Sequence, residues 1–365
     1  MPARNAARPA HPSQPGPQAW RIEVVVPTGL ELLARDELRR LGRAVQLDAA
    51  SPPGVIGLAY SGDLRRLLDL RLATSLYLVR QMAVPRPRAL LGDEHLRRVL
   101  ADCTTVLALH RPGSFQTLFL SAAGADSAVL GRLKAELAER LGLTLGAEDG
   151  DLVLRLRRGP AGMGWELLVR LAPRPLATRP WRVCNLEGAL NGPVAQAMVL
   201  LSRPRPADVY LNIGCGSATL LIERLLSGPA RRAIGCDTSA AALACARANL
   251  GAAGLSGRAE LQPWDATALP LPTATVDVIT GDLPFGHLVG SHAQNLALYP
   301  ALLAEAARVA RPGARCVLLS HEVRLMERLL AGMPAWLVTQ VLRVDLGRLV
   351  PRIFVLQRGT STDSA

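Results

Sequence analysis

The sequence predicts an α/β protein whose C-terminal half is a doubly wound, Rossmann-like sheet and whose front half is α+β. Three observations carry this. Beyond residue 181, four short apolar runs, ADVYLNI, RRAIGCD, VDVITGD and ARCVLLS, alternate with the helical stretches SATLLIERLL, SAAALACARANL and NLALYPALLAEAARVA. That rhythm suits buried parallel strands joined by crossover helices. The first of these strands ends in NIGCGSAT, a glycine turn opening onto a helix. Ahead of residue 177, strands and helices follow one another without such regularity.

Taken in order, residues 1–19 hold five prolines and no apolar periodicity, and are expected to be a disordered tail. RIEVVV then reads as a strand, followed by a helix within PTGLELLARDELRRLG, with Thr28 as N-cap and Gly42 as its stop. GVIGLAY is strand-like, and GDLRRLLDLRLATSLYLVRQM reads as a second helix, ending a first domain at residues 20–85. In residues 86–176, FQTLFLS, DLVLRLRR and GWELLVRLA read as strands and ADSAVLGRLKAELAERLGL as an amphipathic helix. The doubly wound domain spans 177–358, with a short tail at 359–365.

With 365 residues and 49% hydrophobic content the chain can bury several cores. Its net charge of +12 points to an anionic partner. Only Lys134 is lysine, so part of that charge reflects an arginine-rich composition. There are 25 basic against 17 acidic residues before Trp181 and 17 against 13 from it onward, which concentrates the excess in the front half. Aromatics are only 4%, which excludes base stacking spread over the surface. The six cysteines show no C-x-x-C or metal-ligand spacing, so no metal is expected and the thiols read as buried and free. No apolar run is long enough to span a membrane and no signal peptide is evident, so a cytoplasmic protein is expected.

The chemistry concentrates at the strand ends of the C-terminal half. Gly214 and Gly216 let the backbone turn sharply, and the helix after Ser217 offers free N–H groups. Asp237 closes the next strand about twenty residues on, where an acid accepts ribose hydroxyls. Asp265 follows the third strand. The fourth ends in DLPFG, which a nicotinamide site does not require, and Thr219 stands where a third glycine would be; together these favour S-adenosylmethionine as cofactor. Asp282 and a carbonyl before or at Pro284 suit holding an exocyclic amine, with Phe285 stacking on its base.

NIGCGSAT, CDTS, WDA and DLPFG, with GALNGPVAQAMVLL upstream, resemble the THUMP-domain RNA guanine-N2 methyltransferases, especially the branch acting on guanosine 6 of tRNA. DLPFGHLVGSHAQNLALYPALLAEAARV is similar to that branch along its length. RIEVVVPTGLELLARDELRRLG resembles the family's N-terminal ferredoxin-like domain, and residues 115–182 its THUMP module. The resemblance implies a class I methyltransferase sheet behind a ferredoxin-like plus THUMP module that docks tRNA. It implies a cofactor site of Asn191, Asn212, Gly214, Gly216, Ser217, Thr219, Asp237, Thr238, Asp265 and Ala266, and a catalytic set of Asp282, Pro284 and Phe285. Arg155, Arg157, Arg158, Arg170 and Arg174 are the RNA-contact candidates. A monomer is expected. The family's usual Asp-Pro pair and third loop glycine are replaced here by Asn212-Ile213 and Ala218, which leaves a catalytically silent RNA-binding paralogue as an alternative. Ribosomal RNA guanine-N2 or adenine-N6 methylation is the other.

Overall fold

A computed structural model describes residues 19–162, 164–284, 291–347 and 349–360. Phe285 and nearly all of the two expected tails lie outside the described residues.

The front half forms one sheet in the order β2-β3-β1-β4-β8-β7-β5-β6. Its strands are β1 (Trp20–Val25), β2 (Val45–Leu47), β3 (Val55–Tyr60), β4 (Ser75–Met82), β5 (Thr117–Ala122), β6 (Thr144–Leu145), β7 (Leu152–Arg158) and β8 (Trp165–Arg170). Helices α1 (Glu31–Arg39), α2 (Asp93–Leu107) and α3 (Ala128–Leu141) pack on one face. Alternation along β7 shows why: Leu152, Leu154 and Leu156 enter the helix-covered core, while Arg155 and Arg157 emerge on the opposite face. That face carries a small cluster of Tyr77, Val79 and Leu168.

Residues 62–82 do not form the single helix expected. They form a short 3-10 segment, Leu64–Asp69, and then strand β4. Five successive β4 residues are buried because both faces are covered and both edges pair, with β1 and β8. A continuous apolar run of this length fits a buried helix or a buried strand, and the sheet pairing decides. The same β4–β8 ladder makes one sheet across the expected boundary at residue 85.

The second sheet has the order β11-β10-β9-β12-β13-β15-β14. It comprises β9 (Val209–Ile213), β10 (Arg232–Cys236), β11 (Glu260–Gln262), β12 (Val276–Asp282), β13 (Ala310–Ser320), β14 (Trp336–Arg343) and β15 (Arg352–Arg358), with α4 (Gly192–Leu201), α5 (Thr219–Leu226), α6 (Ala240–Ala252), α7 (His292–Val309) and α8 (Val323–Ala331). All neighbours are parallel as far as β13, and β15 inserts antiparallel between β13 and β14. The chain steps outward from β9 to β11 and returns to β12 on the other side of β9. The crevice above the β9 and β12 carboxyl ends is therefore the switch point where doubly wound sheets bind ligands.

Helix α4 explains how the two sheets meet. GPVAQAMVLL is apolar nearly all round, a pattern that requires burial on every side, and its residues Gly192–Val199 are all buried. They share one core with β1, α1 and residues Val317, Leu319 and Ile353 of the second sheet. A polar joint lies beside this core: Glu223 of α5, fully buried, pairs with Arg71 and with Arg179, and Arg71 also donates to the Ser227 hydroxyl. A buried carboxylate with two guanidinium partners is satisfied; losing Glu223 would leave both guanidiniums without their counter-charge.

Candidate active site at the strand switch point

A cleft of about 640 Å³ opens at the switch point. It is lined by Asn212, Gly214, Gly216, Ser217, Thr219, Asp237, Thr238, Asp265, Ala266, Asp282 and Pro284, among others. The expected residues from four separate strand ends are thus brought together.

The glycine loop is shaped by backbone conformation. Gly214 and Gly216 have φ of +54° and +53°, and a Cβ built on either meets no atom within 4 Å. Left-handed backbone, which glycine adopts freely, is what the turn demands, and the space before it stays open to the cleft. Ala218 has φ +65° and begins α5 with no side-chain cap, so the first N–H groups of that helix are left for a ligand. Asp237 braces the loop, one carboxylate oxygen accepting the Gly216 N–H at 2.9 Å and the other that of Ser239 at 2.9 Å. Asp265 is exposed at the rim, and hydrogen bonds from the Thr267 backbone and hydroxyl hold its carboxyl below the usual range. Asn191 is not among the cleft-lining residues: its side chain caps α4 by accepting the Val194 N–H at 3.3 Å.

Two supports of the loop were not legible as site residues. Arg182, largely buried, donates to the Thr219 hydroxyl at 2.9 Å and to the Leu190 carbonyl at 2.7 Å. Asn249, fully buried, donates to the carbonyls of Cys184 and Ser217 and accepts the Cys184 N–H. Apart from the Leu190 carbonyl, their partners lie 32 to 65 positions away, so no local motif announces them. Asn249 also brings the segment after Trp181 against α6, where Cys184 and Cys245 form a disulfide. This corrects the expectation of free thiols for that pair; Cys103, Cys215, Cys236 and Cys316 are buried and unpaired.

The β12 side has a different character. Asp282 ends the strand with its Oδ1 shut off from solvent and no hydrogen-bond partner. Burial pushes its carboxyl up to about 8, because a charged carboxylate without donors is disfavoured in such surroundings. Asn212, on the neighbouring strand, donates to the Thr280 carbonyl at 3.2 Å, and its own Oδ1 is likewise unpartnered. The Pro284 carbonyl turns toward α7, accepting from Asn295 at 3.0 Å and from the Tyr299 hydroxyl at 2.8 Å. Both of Tyr299 and Asn295 are fully buried. Since a carbonyl only accepts, Tyr299 must donate there and receive the Ser320 hydroxyl, whose oxygen accepts the Glu322 N–H. A one-way chain of hydrogen bonds therefore holds the turn after Asp282.

The arginine candidates separate into distinct environments. Arg157 bridges Glu23 and Glu166, and Arg155 and Arg158 lie over the rings of Tyr77 and Trp165 at 4.7 and 4.4 Å. Arg170 is buried and donates to the carbonyls of Gly150, Asp151, Ala172 and Pro173, so its guanidinium serves the fold. Arg174 is exposed.

Comparison with known proteins agrees with this geometry. The family model described as UPF0020, an RMKL-like methyltransferase domain, matches residues 179–352. The tRNA (guanine(6)-N2)-methyltransferase of Thermus thermophilus is 30% identical over 92% of this chain and 99% of its own length. The crystal structure of TrmN from Thermus thermophilus superposes with a TM-score of 0.72, at 26% identity, over 93% of this chain and 99% of that one. THUMP3 of Mus musculus, named a tRNA (guanine(6)-N(2))-methyltransferase, is 33% identical over 46% of this chain; the match spans 36% of that longer protein. A strand switch point with a braced glycine loop and an unpartnered Asp282, together with near-complete alignment to the bacterial enzyme, place the chain in one family: it belongs to the RNA guanine-N2 methyltransferases.

Proposed function

We propose that this protein transfers a methyl group from S-adenosylmethionine to the exocyclic N2 of guanosine in tRNA, at position 6 of the acceptor stem, in the cytoplasm. The observation that carries the reading is Asp282, a buried acceptor without a donor, facing the same cleft as the glycine loop. Gly214, Gly216, Ser217 and Thr219 would hold the methionine end of the cofactor, Asp237 and Thr238 the ribose, and Asp265 and Ala266 the adenine. Open space above the glycines and free N–H groups at the start of α5 fit such a ligand. When bound, S-adenosylmethionine supplies an electrophilic sulfonium methyl group.

Guanine N2 is a poor nucleophile because its lone pair is delocalised into the ring. Asp282 accepts one N–H of the amine and, with the carbonyl preceding Pro284, turns the lone pair out of conjugation. The Pro284 carbonyl is committed to Asn295 and Tyr299, so its part is to fix the turn. An amine donating to Asp282 supplies the missing hydrogen bond and favours the charged carboxylate, which offsets positive charge as it develops on nitrogen. Phe285, proposed to stack on the base, lies outside the described residues. The test is to incubate purified protein with cofactor and unmodified tRNA and to analyse the digested nucleosides by mass spectrometry. N2-methylguanosine mapped to position 6 is expected; no methylguanosine across a full tRNA pool, or N6-methyladenosine instead, would refute the reading.

A further inference from the structure

A second cleft, of about 630 Å³, lies at the seam between the two sheets, beyond the C-terminal end of α5. Arg40 and Arg71 approach it from the front half, and Arg203 and Arg205 from the segment ahead of β9. Arg71 is committed to Glu223, but Arg40, Arg203 and Arg205 have no side-chain hydrogen bond or ion pair among the described residues. The one acid on the lining, Glu37, spends both oxygens on the N–H groups of Arg71 and Leu72, and burial pushes its carboxyl up. Gln196, 4% exposed, and the Ser227 hydroxyl add polar groups to the wall. The cleft therefore concentrates guanidinium groups that the fold does not neutralise, drawn from both halves of the molecule.

We propose that this seam cleft binds backbone phosphates of the same RNA whose guanosine enters the active site, the proposal resting on the RNA methyltransferase reading above. Three uncommitted guanidiniums around an open cleft match consecutive phosphodiesters, which arginine binds through its forked donors. The position is also suitable. Thr219 lines the active-site cleft and Ser227 the seam cleft, with α5 between them, a helix of eight residues or ~12 Å. That separation corresponds to roughly three or four base-pair steps along a duplex axis at ~3.4 Å each. An RNA held there would touch both halves at once and fix the register of the base presented to Asp282. It would also supply contacts that Arg157 and Arg170, tied into the front sheet, do not offer.

The full-length protein and its Arg203→Glu/Arg205→Glu variant should be compared for binding of an unmodified tRNA transcript from 50 to 200 mM KCl. The expected result is affinity lower by on the order of tenfold or more at 100 mM salt. The slope of log K against log salt should shrink by about 1.5 to 2, as for loss of two phosphate contacts, while S-adenosylmethionine affinity stays within twofold. Arg40→Ala, a substitution on an exposed helix end, should move both quantities in the same direction and serves if the double variant does not fold. Unchanged affinity and slope in the variants, with wild-type protein still binding and methylating tRNA, would overturn the seam assignment alone. Wild-type protein that neither binds nor methylates tRNA would overturn the reading beneath it. Saturable binding of inorganic phosphate, lost in the variants while the tRNA slope is unchanged, would assign the cleft to a free phosphate ligand and refute the RNA proposal.

Discussion

The two sides of the active-site cleft differ in how their polar atoms are partnered. On the glycine-loop side, Asp237, Arg182 and Asn249 all hold backbone or hydroxyl groups of the loop within hydrogen-bonding distance. On the β12 side, Asp282, with Asn212 beside it on β9, leaves a buried oxygen without a donor, whereas the braces of the loop leave only the Arg182 Nε unpartnered. Buried polar groups are nearly always satisfied, so the difference supports the proposed division into a prebuilt cofactor seat and a half-site that a substrate completes. Substitutions on one side should therefore disturb binding and stability, and those on the other should disturb transfer.

The largest effect is expected at Asp282. Asp282→Ala should lower kcat by about three orders of magnitude, within the range seen for loss of a key electrostatic or proton-handling group. Calorimetric affinity for S-adenosylmethionine should change by less than threefold; a parallel loss of cofactor binding would erase the contrast. Asp237→Ala should do the reverse first: two backbone N–H groups lose their acceptor, so cofactor affinity should fall 10- to 100-fold and unfolding free energy by ~1–3 kcal/mol, read by calorimetry and denaturant melts.

Next in size is Tyr299→Phe, which removes one of two donors to the Pro284 carbonyl. A fall in kcat of about tenfold with little change in cofactor affinity is expected, consistent with ~1 kcal/mol for one hydrogen bond. An unchanged kcat would remove the turn-holding role. The raised carboxyl of Asp282 also sets a pH dependence. If the ionised form accepts the amine, kcat/KM should climb close to tenfold per pH unit below about 8 and level above it. For folding the sign is opposite: the native state retains a proton that the unfolded chain has lost, so stability declines as pH rises from about 4 to about 8. Asp282→Asn should flatten that decline in thermal melts across the same range.

The smallest effect concerns Ala218, left-handed at φ +65°. Ala218→Gly should raise stability by ~0.5–1 kcal/mol, the relief of that conformation less the entropy glycine adds to the unfolded chain. A destabilised glycine variant would show that Ala218 makes packing contacts worth more than the strain.

Much of the site was legible in the sequence because its parts are local to strand ends. NIGCG, CD and DLP each sit where an apolar run stops, and the sheet order brings them together. The α/β class followed from the same alternation. What escaped depends on partners far along the chain. Residues 75–82 are apolar enough for either element, and only pairing with β1 and β8 makes them a strand. Arg157 and Arg170 looked like free charges because Glu23, Glu166 and the carbonyls around residues 150–173 are brought to them by folding. Asn295 and Tyr299 carried no signal of their own; their importance lies in meeting the Pro284 carbonyl across a turn. The Cys184–Cys245 pair likewise joins segments 61 positions apart, which Asn249 also links by hydrogen bonds to Cys184.

The unmet acceptor can be measured directly. Carbon-13 NMR of protein labelled in its aspartate carboxyls, with Asp282→Asn identifying the resonance, should show Asp282 titrating near 8 in the free protein. It should titrate lower once guanosine-bearing tRNA is bound, because a donating amine favours the carboxylate. A carboxyl that titrates near 4 in the free protein, or one that tRNA leaves unmoved, would contradict the assignment of Asp282 as the group waiting for the guanine amine.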